Sequence, residues 1–193
     1  DDPLGYEIES SAQVTREVNV PTIVTGRIMT LDHASHLVET GVADMVSLVR
    51  AMVADPYLVA KARDGREHEI RPCIGTSMGC VAQLMTTGRL QCVVNVAAGK
   101  ERSVEFETPA PAPVRKKVLV IGGGPAGLEA ARTTALRGHD VHLYEMKNHL
   151  GGQVRIAASA PHRADLEAIT RSLPTRSPDS AYTFTCAHRS IPI

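Results

Sequence analysis

Along the first seventy or so residues, short β-branched runs alternate with stretches of helical period, and the pattern reads strand, helix, strand, helix. Residues 20–25 (Val-Pro-Thr-Ile-Val-Thr) form the first run, which ends at Gly26-Arg27. A helix is predicted next. Asp32 suits its cap, Ala34, Leu37 and Val38 give the apolar stripe, and Gly41 suits the position just past its end. Ala43-Asp44-Met45-Val46-Ser47-Leu48 reads as a second strand, ending at Val49-Arg50. Asp55-Pro56 then opens another helix, with Pro56 in its first turn, Leu58, Val59 and Ala62 on one face, and Gly65 beyond its end. Two such units in series imply parallel strands in an α/β sheet. They cannot close an eight-stranded barrel, which needs ~250 residues where roughly seventy stand here.

Residues 66–100 carry little regular periodicity. Thr108-Pro109-Ala110-Pro111-Ala112-Pro113 follows, and its alternating prolines favour an extended, semi-rigid spacer. Val118-Leu119-Val120-Ile121 is then a continuous apolar strand of the type buried in parallel sheets. Gly122-Gly123-Gly124-Pro125-Ala126-Gly127 turns into a helix running to about Arg137; Gly138 ends it, and Val141-His142-Leu143-Tyr144 makes the next strand, with Glu145 at its tip. From Thr170 to Ile193, 14 of 24 residues are Ser, Thr, Pro or Arg, and neither period is expected to persist. The division expected is 1–70 for the two βα units, 71–107 for a cysteine-bearing loop region, 108–116 for the linker, 117–169 for the start of a dinucleotide-binding domain, and 170–193 for an atypical tail.

Composition narrows the function classes. The 193 residues carry 21 basic and 21 acidic side chains, so no electrostatic footprint for nucleic acid or an anionic membrane exists. Aromatic content of 3% leaves few platforms for stacking bases. No apolar stretch approaches the ~20 residues that span a bilayer, and no basic-then-apolar leader opens the chain. A cytoplasmic protein with a small-molecule substrate is the expectation.

Three features carry chemistry. The first is Gly122-x-Gly124-x-x-Gly127, which follows a strand, opens a helix, and has Glu145 18 positions beyond its last glycine. Gly122 allows the tight turn, Gly124 lets the backbone approach a pyrophosphate, and Gly127 permits close helix–strand packing. The helix N-terminus offers N–H groups and partial positive charge to the phosphates, and Glu145 would accept from a ribose hydroxyl. Leu150-Gly151-Gly152-Gln153 follows closely; taken alone it is a loop, and its resemblance to the Gly-Gly pair of flavin disulfide-reductase-like folds tilts the ligand towards FAD or another ADP-bearing molecule. The second feature is the pair Gly26-Arg27 and Arg50, each just after a strand, where α/β barrels place phosphate sites. Arginine suits phosphate and flavin contacts, although ordinary surface arginines would look the same. The third is the spacing Cys73-x6-Cys80-x11-Cys92 in a chain without a secretory leader. This fits metal or cluster ligation, or three small buried hydrophobes.

In this order the pieces resemble the flavin oxidoreductase family that contains 2,4-dienoyl-CoA reductase and trimethylamine dehydrogenase. The resemblance runs from about Val20 to Ile169. It includes Thr25-Gly26-Arg27-Ile28, residues 50–56 (Arg-Ala-Met-Val-Ala-Asp-Pro), residues 70–75 (Ile-Arg-Pro-Cys-Ile-Gly), and the run from Val118 to Glu145. It implies the last two βα units of an incomplete TIM barrel, a cysteine-bearing loop, and the first βαβ of a Rossmann-like FAD/NAD(P)-binding domain. It places Gly26, Arg27 and Arg50 at FMN. It makes Cys73, Cys80 and Cys92 ligands of a 4Fe-4S cluster, and it assigns Gly122, Gly124, Gly127, Glu145 and Gly152 to FAD or ADP. NAD(P)H would be the reductant and an enoyl thioester or an amine the small-molecule substrate. Thr76 stands where the family has its second cysteine, and a threonine hydroxyl is a poor ligand for iron–sulfur chemistry. An incomplete, labile or three-iron cluster, or none, is therefore expected. The resemblance further implies that six barrel strands and the rest of the nucleotide domain are missing. It also suggests that the chain is a remnant, and that residues 170–193 are an out-of-frame tail.

Overall fold

The apolar pairs at the heart of the first two runs, Ile23-Val24 and Met45-Val46, make the shortest strands of the fold. In the computed structural model, which describes residues 3–103, 109–175, 182–186 and 189–192, helix α1 (Ile8–Glu17) leads into β1 (Ile23–Val24). Helix α2 (Leu31–Glu39) follows, then β2 (Met45–Val46). The strands pair in parallel, Ile23 opposite Met45 and Val24 opposite Val46. Thr30, not Asp32, caps α2: its hydroxyl accepts the His33 N–H at 3.3 Å. Val24, Ile28, Ala34, Leu37 and Ala43 close into one apolar cluster with Ile8 and Val46 around it. The other faces of β1 and β2 are bare, since Ile23 and Met45 are exposed.

Beyond β2 the chain turns at once into α3 (Val49–Ala54), so Arg50 sits in a helical first turn. Helix α4 (Leu58–Arg63) begins after Pro56 rather than at it. The proline occupies the turn between the two helices, where the Tyr57 N–H bonds back to Asp55. The cysteine region then holds α5 (Val81–Thr87), ended by Gly88 in the left-handed conformation (φ +68°).

Residues 109–113 do not stand clear as a spacer. The Ala112 N–H donates to the Arg137 carbonyl at 2.9 Å, and Arg137 Nε donates to the Ala110 carbonyl at 3.1 Å. The chain passes into β3 (Lys117–Ile121), α6 (Pro125–Leu136) and β4 (Asp140–Glu145), a parallel βαβ unit with Val118 opposite Val141. Leu128, Ala131 and Ala135 of α6 pack on Val141 and Leu143, with Val118 and Val120 beside them. The expectation of a strand buried on both faces is corrected here. Leu119 is 60% exposed and Ile121 82%, because the helices of this unit cover one side of the sheet only.

Helix α7 (Gln153–Ala158) and helix α8 (Ala168–Thr175) follow, then β5 (Tyr182–Cys186) and β6 (Arg189–Pro192). Strand β5 runs parallel to β4, with Val141 opposite Tyr182, and β6 returns antiparallel, giving the order β3-β4-β5-β6. The expectation that regular structure stops near Thr170 is thereby corrected. The helix passes through residues 171–173, and Tyr-Thr-Phe-Thr-Cys does alternate with period two.

Candidate functional site

The glycine motif is built around backbone approach. Gly124 caps α6 with extended angles (φ −76°, ψ 175°), and Pro125 opens the helix where no hydrogen bond is lost. A side chain at Gly122 or Gly124 would meet no atom within 4 Å, so the hollow in front of both is open. At Gly127 the situation reverses. A β-carbon there would overlap the Gly122 carbonyl oxygen, so glycine is what lets α6 lie against the end of β3.

Glu145 ties the second strand to this loop. Its Oε2 accepts the Gly123 N–H at 2.6 Å, and its Oε1 accepts the Lys147 N–H at 2.9 Å. These two backbone donors, Lys147 first and Gly123 second, hold its carboxyl below the usual glutamate range. The loop after β4 closes the arrangement. The Gly151 N–H donates to the Gly123 carbonyl at 2.8 Å, and a β-carbon on Gly152 would come within 3.3 Å of the Gly124 Cα. Open glycines, a helix N-terminus and an acid at the next strand tip fit an adenine dinucleotide.

Because its folded-state pKa is depressed, Glu145 contributes stability above the usual glutamate range, and that contribution disappears as pH falls through the lowered value. Glu145→Gln should therefore lower stability near neutral pH, and the deficit should shrink in acid. Urea unfolding at a series of pH values measures it; a deficit that does not change with pH would contradict this account.

At the edge of the first unit, Gly26-Arg27 and Arg50 follow the two parallel strands at the same end, and the Thr25 hydroxyl links the two loops through the Ser47 carbonyl at 3.5 Å. Gly26 is buried (φ +126°), with Glu7, its β-carbon nearest, lying over it. Arg50 lies near enough to Cys73 to favour its thiolate, whereas the Arg27 guanidinium is engaged by Asp165 at 2.7 Å.

Cys73, Cys80 and Cys92 are all free and half-buried. Burial pushes the Cys73 thiol up, against a bond from the Gly75 N–H and the charge of Arg50, with Cys92 and Cys80 near enough to add to the rise. Cys73 and Cys92 pack on Ala54, Ile74 and Val94. Among the described residues, no three His, Cys, Asp or Glu side chains converge to hold a metal ion. Three thiols with Thr76 in the fourth place do not fit a 4Fe-4S cluster.

Asp55 and the residues that bind it are what the motif reading missed. This carboxylate is fully buried and accepts from Lys61 Nζ at 2.7 Å, the Arg71 N–H at 2.8 Å and the Tyr57 N–H at 3.0 Å. Lys61 and Arg71 are buried as well. The pattern Asp-Pro followed by a lysine on the next helix was the available signal, since a proline turn frees the Asp55 side chain to fold inward.

Among the described residues, no helix is long and apolar enough to cross a membrane. The family model for an NAD(P)-binding Rossmann-like domain matches residues 120–181. An NADH oxidase of Thermoanaerobacter brockii is 42% identical over 164 residues, 84% of this chain and 25% of that protein. The structure of the 6-hydroxypseudooxynicotine amine oxidase of Pseudomonas geniculata N1 superposes with a TM-score of 0.85 at 28% identity, covering 96% of this chain and 28% of the other. A 2-naphthoyl-CoA reductase does so at 0.83 and 30% identity, over 91% of this chain and 26% of that one. The chain thus spans about a quarter of the length of the proteins it matches. These matches run over most of this chain, through both parallel βα units, the cysteine-bearing region and the glycine loop, and the chain belongs to the flavin oxidoreductase family that contains 2,4-dienoyl-CoA reductase and trimethylamine dehydrogenase.

Proposed function

We propose that an enzyme built around this stretch is a flavin- and NAD(P)H-dependent oxidoreductase of the dienoyl-CoA or enoate reductase type, acting on a small molecule such as an enoyl thioester. The observation that carries this reading is the open hollow at Gly122 and Gly124, faced by Glu145 and roofed by Gly152. Gly122, Gly124, Gly127, Glu145 and Gly152 would hold the ADP portion of FAD. Gly26 and Arg50, on one edge of the parallel pair, would serve the FMN phosphate, together with the Arg27 main chain. A bound flavin supplies the redox chemistry, and this chain's residues bind and orient it. Relay through an iron–sulfur cluster, the family's arrangement, has only three thiolates here. No step is assigned to it.

The amine oxidase neighbour favours a second reading, oxidation of an amine, in which electrons leave the substrate instead of reaching it. Titration of the folded chain with ADP, FAD and NADPH, followed by calorimetry and flavin fluorescence, tests the cofactor reading. Binding of ADP and FAD is expected. A folded chain that binds none of the three would sink it.

A further inference from the structure

We propose that the Arg27 side chain is a latch: through Asp165 it docks the nucleotide-binding segment onto the first βα units and the cysteine loop, and it is not a flavin-phosphate ligand. Arg27 Nη2 meets Asp165 Oδ2 at 2.7 Å across 138 positions of sequence, and the arginine side chain is only 12% exposed. The cysteine loop is the third party. A β-carbon on Gly75 would lie at ordinary contact distance, 3.4 Å from Asp165 Oδ2 and 3.6 Å from Arg27 Nη2, so the loop runs beside the ion pair, and its left-handed backbone there (φ +69°) favours glycine.

Backbone strain marks the same junction. Among the described residues, three non-glycines adopt left-handed angles: Arg27 (φ +55°), Ser77 (φ +54°) and His162 (φ +61°). One lies in each of the segments that meet here. Arg27, His162 and Asp165 share the wall of a cavity of about 300 Å³, and Gly75, Thr76, His162 and Asp165 share that of a neighbouring one of about 510 Å³. Such conformations persist where surrounding structure over-determines them. Asp165 already holds Nη2 at charge-assisted bonding distance, so a flavin phosphate would have to share the guanidinium with a carboxylate of like charge. Arg50 keeps the cationic role at the barrel edge.

Hydrogen–deuterium exchange on the full chain tests this, with Arg27→Met, Asp165→Asn and the charge swap Arg27→Asp/Asp165→Arg. Either single change should raise exchange about three- to fivefold on both sides of the junction, in residues 26–28 and 74–78 and in 161–166, as loss of a partly buried ion pair loosens local opening. The swap should bring both sides back towards the original rate. Asp165→Asn, conservative and half-exposed, decides the matter if the Arg27 variants do not fold: unchanged exchange at residues 26–28 and 74–78 overturns the latch. Added FMN is the second arm. Quenching of FMN fluorescence that is lost in Arg27→Met, kept in Asp165→Asn and not rescued by the swap would assign Arg27 to the flavin and overturn the proposal. FMN binding that is unaffected by Arg27→Met, or absent from every form while exchange responds as stated, supports it.

Discussion

Gly127→Ala is expected to lose both stability and nucleotide binding, while Gly124→Ala loses binding alone. The difference follows from what a β-carbon would meet. At Gly127 it overlaps the Gly122 carbonyl oxygen and comes within 3.5 Å of Val120 Cγ1. The obstacle is backbone and cannot swing away. Either α6 lifts off the end of β3 or the Gly122 peptide rotates, and both alter the loop that would face a phosphate. Overpacking of this kind costs about 1–3 kcal/mol in flexible surroundings, and an unyielding backbone places the expected cost at or above the top of that range. The distorted loop should lower ADP affinity by roughly 30- to 100-fold, because about 1.4 kcal/mol is lost per factor of ten. At Gly124 a β-carbon meets no atom of the protein, and the backbone angles suit alanine. Its methyl group would instead occupy the hollow that a pyrophosphate must enter. Urea unfolding and ADP calorimetry on the two variants separate these effects. If Gly127→Ala binds ADP as tightly as the unaltered chain, the loop is not the phosphate site.

Asp55→Ala should be the most destabilising change in the first half of the chain. One buried carboxylate receives three donors, and its removal takes from the Lys61 ammonium, 3% exposed, the carboxylate that balances its charge, while the Glu69 carbonyl stays at 3.2 Å. Breaking a buried pair from one side costs about 3–5 kcal/mol. Domains of this size are stable by about 5–15 kcal/mol in total, so much of the first unit should unfold at low urea. Asp55→Asn should recover little, since a neutral amide cannot balance the Lys61 charge and one of its two ends becomes an NH2 facing a donor. Asp55→Ala combined with Lys61→Met should recover a sizeable part, because the Lys61 charge is then no longer left buried without its counterion. The Arg71 N–H that Asp55 receives lies two residues before Cys73, so the cysteine loop loosens with the clamp. Alkylation of Cys73 should therefore speed up in Asp55→Asn even without denaturant. An unchanged urea midpoint for Asp55→Ala would show that the clamp carries no stability.

The parts of this protein legible in its sequence are those whose physics is local. A continuous apolar run, three glycines at fixed offsets and an acid 18 positions on define the β3–α6–β4 unit, because each residue answers to a turn, a helix start or a strand tip within a few positions. The two short parallel strands of the first unit were readable for the same reason, though their caps shifted: Thr30 displaced Asp32, and the Pro56 turn delayed α4. Residues 182–186 carried a period-two signal that the surrounding Ser, Thr, Pro and Arg obscured, and pairing with β4 makes a strand of it. Tertiary structure alone decided the rest. Lys61 lies inside because the Asp55 carboxylate meets its ammonium, and the Arg71 side chain lies inside with Nη1 on the Ala54 carbonyl. Leu119 and Ile121 read as core until only one face of the sheet is covered. Grouped cysteines promise a metal site by spacing, yet convergence of thiols depends on how a loop lies on Ala54 and Val94, and no residue count specifies that. Arg27 and Asp165 are 138 residues apart, and two opposite charges at such separation have no local signature at all. Periodicity records what each residue does to its near neighbours in the chain, and only closure of the fold brings distant charges within bonding distance.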